Sequence, residues 1–183
     1  MFKEKYDVVV IGGGHAGVEA AHISSFLGSS VCLITMDQTA IARMSCNPAI
    51  GGLAKGQIVR EIDVLGGIMA ETADVSGIQF KTLNKSKGRA VWSPRAQIDK
   101  RVYEKNILSR IIKSPVSIIQ SEATSVDIRN YKVKSVLLRS GEKIKCSCLI
   151  ITAGTLEMAG NNINCAGNFN NSGTLSSSST ASF

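Results

Sequence analysis

The stretch Tyr6–Thr35 constrains this chain more than any other. It opens with an apolar run, Tyr6-Asp7-Val8-Val9-Val10-Ile11, rich in the β-branched residues that suit a buried strand. Gly12, Gly14 and Gly17 follow in the spacing G-x-G-x-x-G. Val18–Leu27 places Ala20, Ala21 and Ile23 at helix-compatible positions, and Gly28 supplies a stop. A second apolar run, Val31-Cys32-Leu33-Ile34, completes a strand–helix–strand unit of about thirty residues, the length a parallel crossover requires.

Each of these glycines has a physical task. Gly12 allows the sharp exit from the strand, Gly14 lets a pyrophosphate approach the backbone, and Gly17 lets the helix pack close to the strands. The helix start then offers unpaired N–H groups and a positive dipole end to phosphate. The flanking strand, helix and second strand turn a weak motif into an expected dinucleotide site. A ribose-binding acid belongs about 20 residues further on. Asp37 is the nearest, and it reads equally as a ribose ligand or a solvated loop residue.

The 183 residues and 44% hydrophobic content suit one globular α/β domain. There is no long apolar run, so no membrane span is expected. The N-terminus enters the first strand at once, which argues against a signal peptide. Five cysteines show neither zinc-like nor redox C-x-x-C spacing, so a reducing cytoplasm is the expected home. The net charge of +7 is concentrated in residues 81–113, with ten basic and two acidic side chains. That excess reads either as a phosphate-binding footprint or as a solvated helix face.

Further along, Met36–Met44 reads as a loop with a short helix. Ser45–Gly56 then combines Cys46, Pro48, three glycines and Lys55 in a backbone suited to approaching a ligand. Cys46 is either a small buried hydrophobe or a thiol activated by a nearby cation such as Arg43 or Lys55. Helices are expected over Gln57–Leu65 and Ile68–Val75, with a turn at Ser76-Gly77. Ile78–Leu83 is ambiguous, Asn84–Arg89 is a basic loop, and Ala90–Trp92 reads as extended, with Trp92 either stacking on a ring or filling the core, the core being favoured. Ser93 as N-cap and Pro94 as first helical residue predict a helix from Arg95 to Lys113, with Ile98, Val102, Leu108, Ile111 and Ile112 facing inward. Val116–Gln120, Ala123–Ile128, Val133–Arg139, Ile144–Lys145 and Cys148–Thr152 read as strands. The expected fold is a Rossmann-like α/β domain over residues 1–157, its parallel sheet interrupted by a small antiparallel β insert and incomplete. The Asn- and Ser-rich stretch 158–183 is expected to be a disordered or aberrant tail, as if a longer protein had been cut or its reading frame lost.

Gly12-Gly13-Gly14-His15-Ala16-Gly17, Met44-Ser45-Cys46-Asn47-Pro48-Ala49-Ile50-Gly51-Gly52, Lys55-Gly56, Leu83–Gly88 and Arg95-Ala96-Gln97 together resemble the MnmG (GidA) family. That family is the flavoprotein component of an enzyme modifying the wobble uridine of tRNA. The resemblance implies FAD as cofactor, NADH as its reductant and methylenetetrahydrofolate as one-carbon donor. The product is a carboxymethylaminomethyl- or aminomethyl-type group on uridine C5. It further implies that Gly12, Gly13, Gly14, His15, Ala16 and Gly17 hold the FAD pyrophosphate, that Ala123 meets the adenine end, and that Cys46 is catalytic. Lys85, Lys87 and Arg89 become candidates for the tRNA surface. A GTPase partner, MnmE, and a homodimer are implied for the full-length family, whose later parts have no counterpart here. A related folate- and FAD-dependent tRNA (uracil-C5) methyltransferase shares the fold, but the Ser45–Gly52 block favours the first reading. A generic flavin oxidoreductase of small molecules and a catalytically inactive fragment binding only tRNA or flavin are the remaining alternatives.

Overall fold

The computed structural model describes residues 5–44 and 47–152. Within these limits the chain divides into two compact units, one built from residues up to Gln38 and from Pro115 onward, the other from Thr39–Ser114.

The first unit contains strand β1 (Lys5–Ile11), helix α1 (His15–Phe26) and strand β2 (Val31–Thr35). It resumes after the second unit with β6 (Ser117–Gln120), β7 (Ala123–Arg129), β8 (Lys132–Leu138) and β9 (Lys143–Ile151). These form one six-stranded sheet in the order β6-β2-β1-β9-β8-β7. β1 pairs in parallel with β2 (Val9 opposite Cys32) and with β9 (Val9 opposite Leu149), and β2 with β6 (Thr35 opposite Gln120). Every residue of β2 is buried, as an internal parallel strand should be. Tyr6, Val9, Cys32, Ile34, Ile119, Val136, Leu138, Ile144 and Cys146 form a core cluster in this unit. The expected mostly parallel sheet is present. Its antiparallel part is the edge β9-β8-β7 of the same sheet, and the two separate strands expected at Ile144–Lys145 and Cys148–Thr152 are one continuous strand.

The second unit departs further from expectation. It holds β3 (Ala49–Gly51), α2 (Gly56–Val64), α3 (Met69–Ser76), β4 (Gly77–Leu83), β5 (Ser93–Ile98) and α4 (Lys100–Lys113), with short 3₁₀ turns at Gln38–Ala40 and Arg89–Val91. A three-stranded antiparallel sheet, β3-β5-β4, replaces the anticipated turn at Ser76-Gly77 and the first turn of the long helix. Ser93 caps no helix: its buried hydroxyl donates to the Gly52 carbonyl, and Pro94 sits near the start of β5, where proline is tolerated. The helix begins one element later, because Asp99 caps it by accepting from the Arg101 N–H (2.9 Å) and the Val102 N–H (3.1 Å). Its buried stripe is Tyr103, Ile107 and Ile111, a four-residue repeat, whereas Val102 and Ile112 are exposed and Ile98 lies on β5. Ala90–Val91 belong to a 3₁₀ turn, and Trp92 is 40% exposed rather than in the core. The expected 158–183 tail lies outside the described residues.

Candidate dinucleotide-binding site

At the carboxyl end of β1 the chain turns through Gly12, whose φ of +108° is strained for any side chain. Ile11 faces Ile34 on one side and Ile151 on the other, so the ends of β2 and β9 flank this turn. In an open α/β sheet, ligands bind beyond the carboxyl ends where strand order changes direction. Gly17 is buried against the turn: an added Cβ would collide with the Gly12 carbonyl oxygen and stand 2.8 Å from Thr152 Oγ1. Gly14 is the opposite case, since a Cβ there would meet nothing within 4 Å among the described residues. The backbone in front of Gly14 is therefore open, and the contact at Gly17 is closed.

Gly14 is also the N-cap of α1; it offers no side-chain cap, and the first turn of the helix holds no acid. A helix start of this kind, with no side-chain cap from its N-cap residue and no first-turn acid, is suited to an anion. Glycine spacing, open approach and a helix start without a side-chain cap fit a pyrophosphate; Gly13, His15 and Ala16 lie between these glycines.

Thr152 was legible only as the end of a strand. Its N–H donates to the Ile11 carbonyl (2.9 Å), and its hydroxyl donates to the Ile11 and Gly12 carbonyls (2.9 and 3.3 Å). This pins β9 to the glycine turn. The signal was an apolar strand running into Thr-Ala-Gly, with nothing local to reveal the partner. Asp37 follows the end of β2, and its carbonyl accepts from the buried Thr35 hydroxyl (3.2 Å). Ser121 N–H donates to the Thr35 carbonyl (2.9 Å), which carries the link into β7 past the same edge. Ala123, the first residue of β7, pairs with Leu138 and packs against the core cluster.

In the second unit, Cys46 lies outside the described residues, but its flanks are firmly tied. Met44 N–H donates to Glu104 Oε1 (2.8 Å), and the Pro48 carbonyl accepts from Ile98 N–H (2.8 Å). Gly51 (φ +82°) and Gly52 (φ +100°) run beneath β5, where Gly52 N–H donates to the Pro94 carbonyl (2.8 Å). A Cβ on Gly56 would lie 2.9 Å from both Pro94 and Ser93. Gly51 and Gly56 are thus required by close packing on the Ser93-Pro94-Arg95 strand, and Gly52 by its positive φ.

Beside that packing lies a cleft of about 560 Å³, lined by Arg60, Lys81, Lys85 and Arg95 with Asp63, Asp74 and Phe80. Of the basic loop, Lys85 reaches this cleft; Lys87 and Arg89 are not among its walls, and the Arg89 guanidinium stands 5.8 Å from the Trp92 ring centre. All three cations are exposed. Among the described residues no cluster suits a metal ion, and no helix is long and apolar enough to cross a membrane.

The parallel sheet with a glycine-rich turn at the end of β1 defines a Rossmann-like α/β protein. The glucose inhibited division protein A model matches residues 7–182. The tRNA uridine 5-carboxymethylaminomethyl modification enzyme MnmG of Buchnera aphidicola subsp. Cinara cedri is 48% identical over 155 residues, covering 84% of this chain and 24% of that protein. The enzyme of the same name from Bacteroides thetaiotaomicron is 49% identical over 152 residues, covering 82% and 24%. The structure of Aquifex aeolicus GidA in its form II crystal superposes with a TM-score of 0.80 at 44% identity, covering 84% of this chain and 26% of that one. The chain belongs to the glucose inhibited division protein A family. It spans about a quarter of the length of these relatives.

Proposed function

We propose that this chain is the FAD-binding portion of an enzyme that modifies C5 of the wobble uridine of tRNA, adding a carboxymethylaminomethyl- or aminomethyl-type group. The observation that carries the reading is the turn at Gly12–Gly17, open at Gly14, closed at Gly17 and backed by an uncapped helix start. Gly12, Gly13, Gly14, His15, Ala16 and Gly17 hold the pyrophosphate in this reading, and Ala123 meets the adenine end. When bound, FAD supplies two-electron chemistry with NADH as reductant, and methylenetetrahydrofolate supplies the carbon unit.

Cys46 is the proposed nucleophile. Its thiolate adds to uridine C6, forming an S–C bond and making C5 nucleophilic, the step a C5 alkylation needs. A Cys46→Ser variant that retains FAD but no longer modifies tRNA supports this role, whereas undiminished turnover removes it. Lys85, Lys87 and Arg89 are proposed to face tRNA phosphates. A GTPase of the MnmE type, a homodimer and a cytoplasmic location complete the reading for the full-length protein.

The test is the visible spectrum of the purified chain after incubation with FAD and gel filtration. Retained flavin bands are expected. A colourless protein would contradict the claim that these residues hold the cofactor.

A further inference from the structure

We propose that the groove over β7, β8 and β9 docks the phosphate backbone of RNA, with Tyr131 as a stacking platform at its rim. This rests on the reading that tRNA is the substrate, and adds a second surface, distant in sequence from residues 81–113. The groove, about 830 Å³, is lined by Lys5, Arg129, Lys132, Lys134, Lys143 and Lys145, all exposed. Its one acidic lining residue among those described is Asp127, already engaged by Arg129 through bonds of 3.2 and 3.0 Å.

The fold sets like charges side by side here. Lys5 stands opposite Lys145 across the parallel β1–β9 pair, and Arg129 opposite Lys132 where the β7–β8 hairpin closes. Like charges directly opposite each other weaken a sheet, and an added polyanion reverses that effect. The hairpin tip gives a second, independent indication. Asn130 and Tyr131 both adopt left-handed backbone (φ +52° and +58°), the geometry of a tight hairpin turn. Glycine or asparagine suits the second position; here it carries a tyrosine that is 89% exposed. A bulky ring held in disfavoured backbone, in water and lining the same groove as these cations, makes no contribution to the core. Aromatic rings interleaved with cations suit unstacked bases and their phosphates better than an acidic polypeptide.

The experiment is fluorescence-anisotropy binding of a labelled tRNA transcript to the whole chain across a salt series. For Lys132→Gln/Lys134→Gln/Lys143→Gln, affinity is expected to fall at least about tenfold near 50 mM salt, with a log–log salt slope shallower by about 2. Tyr131→Ala should lose about fivefold or more, and Tyr131→Phe should bind as the parent does. All these positions are exposed, so flavin retention should be unchanged. An unaltered affinity and slope in the triple variant would overturn the proposal, as would a parent chain that binds no tRNA. So would a silent Tyr131→Ala combined with poly-glutamate displacing the RNA, which would mark a surface for acidic polypeptides. Flavin retention is read separately, so failure of the groove and failure of the cofactor reading give different results.

Discussion

The two units use glycine in different ways. In the first, Gly14 opens the backbone to the outside, while Gly17 closes a helix onto a strand whose carbonyl leaves no room for a Cβ. In the second, Gly51 and Gly56 face inward onto the Ser93–Arg95 strand, where a Cβ would collide, while Gly52 is set by its φ of +100° and by the bond from its N–H to the Pro94 carbonyl. Both units leave large apolar side chains at the surface, Phe26, Leu27 and Met36 in the first and Val64, Leu65, Ile78 and Phe80 in the second, but the first also buries the whole of β2. A tight backbone is therefore no sign of a ligand by itself, and neither is an open one, since Gly28, Gly88 and Gly141 are equally open; what distinguishes Gly14 is that its open backbone starts a helix at the carboxyl end of a parallel strand.

Substitutions can break this comparison. The largest effect is expected at Gly17→Val, whose branched side chain would press on the Gly12 carbonyl and Thr152. Destabilisation of about 3 kcal/mol or more should appear as a lowered melting temperature together with loss of flavin. Next comes Gly51→Ala, where the left-handed backbone and the Pro94 carbonyl both oppose a Cβ. About 2 kcal/mol should be lost in denaturant melts.

A pH effect should follow in the first unit alone. Burial, reinforced by neighbouring Cys146, pushes the Cys32 thiol up to about 12; burial, then Cys148, pushes the Cys146 thiol up to about 11. Both folded values lie above the ordinary 9.0, so the folded state keeps protons that the unfolded chain gives up. The stabilisation is complete below pH 9.0 and is lost as pH rises through about 11 to 12. Melting temperatures should fall over that window, and Cys32→Ala should flatten the decline. The smallest effect, about 1 kcal/mol, belongs to Asp99→Ala, which removes the cap of α4 and should leave flavin binding untouched.

The same contrast explains what could be read in advance. The glycine turn, α1 and the parallel strands were legible because Tyr6–Thr35 is a continuous local signal, with each element's period and stop adjacent in sequence. The second unit was not, because its sheet joins residues 49–51 to 95–97, and Ser93-Pro94 imitates a helix start when seen without its partner Gly52. Trp92 was assigned to the core, but it is 40% exposed, with the Arg89 guanidinium 5.8 Å from its ring centre. The basic groove was invisible for a related reason. Residues 114–183 carry a modest charge excess, and only folding sends Arg139 to Glu122 (2.6 Å) while gathering the other cations with Lys5.

The central claim is that the turn at Gly12–Gly17 is open at Gly14 to receive a cofactor and closed at Gly17 to hold the fold. Flavin-fluorescence titration with parallel melting curves on Gly14→Ala and Gly17→Ala tests it most directly. Gly14→Ala should keep the parent's melting temperature, since φ is −72° and the space is empty, while FAD affinity falls about tenfold or more through lost pyrophosphate contact. Gly17→Ala should lose stability and flavin together. A Gly14→Ala chain that binds FAD as tightly as the parent would contradict the account.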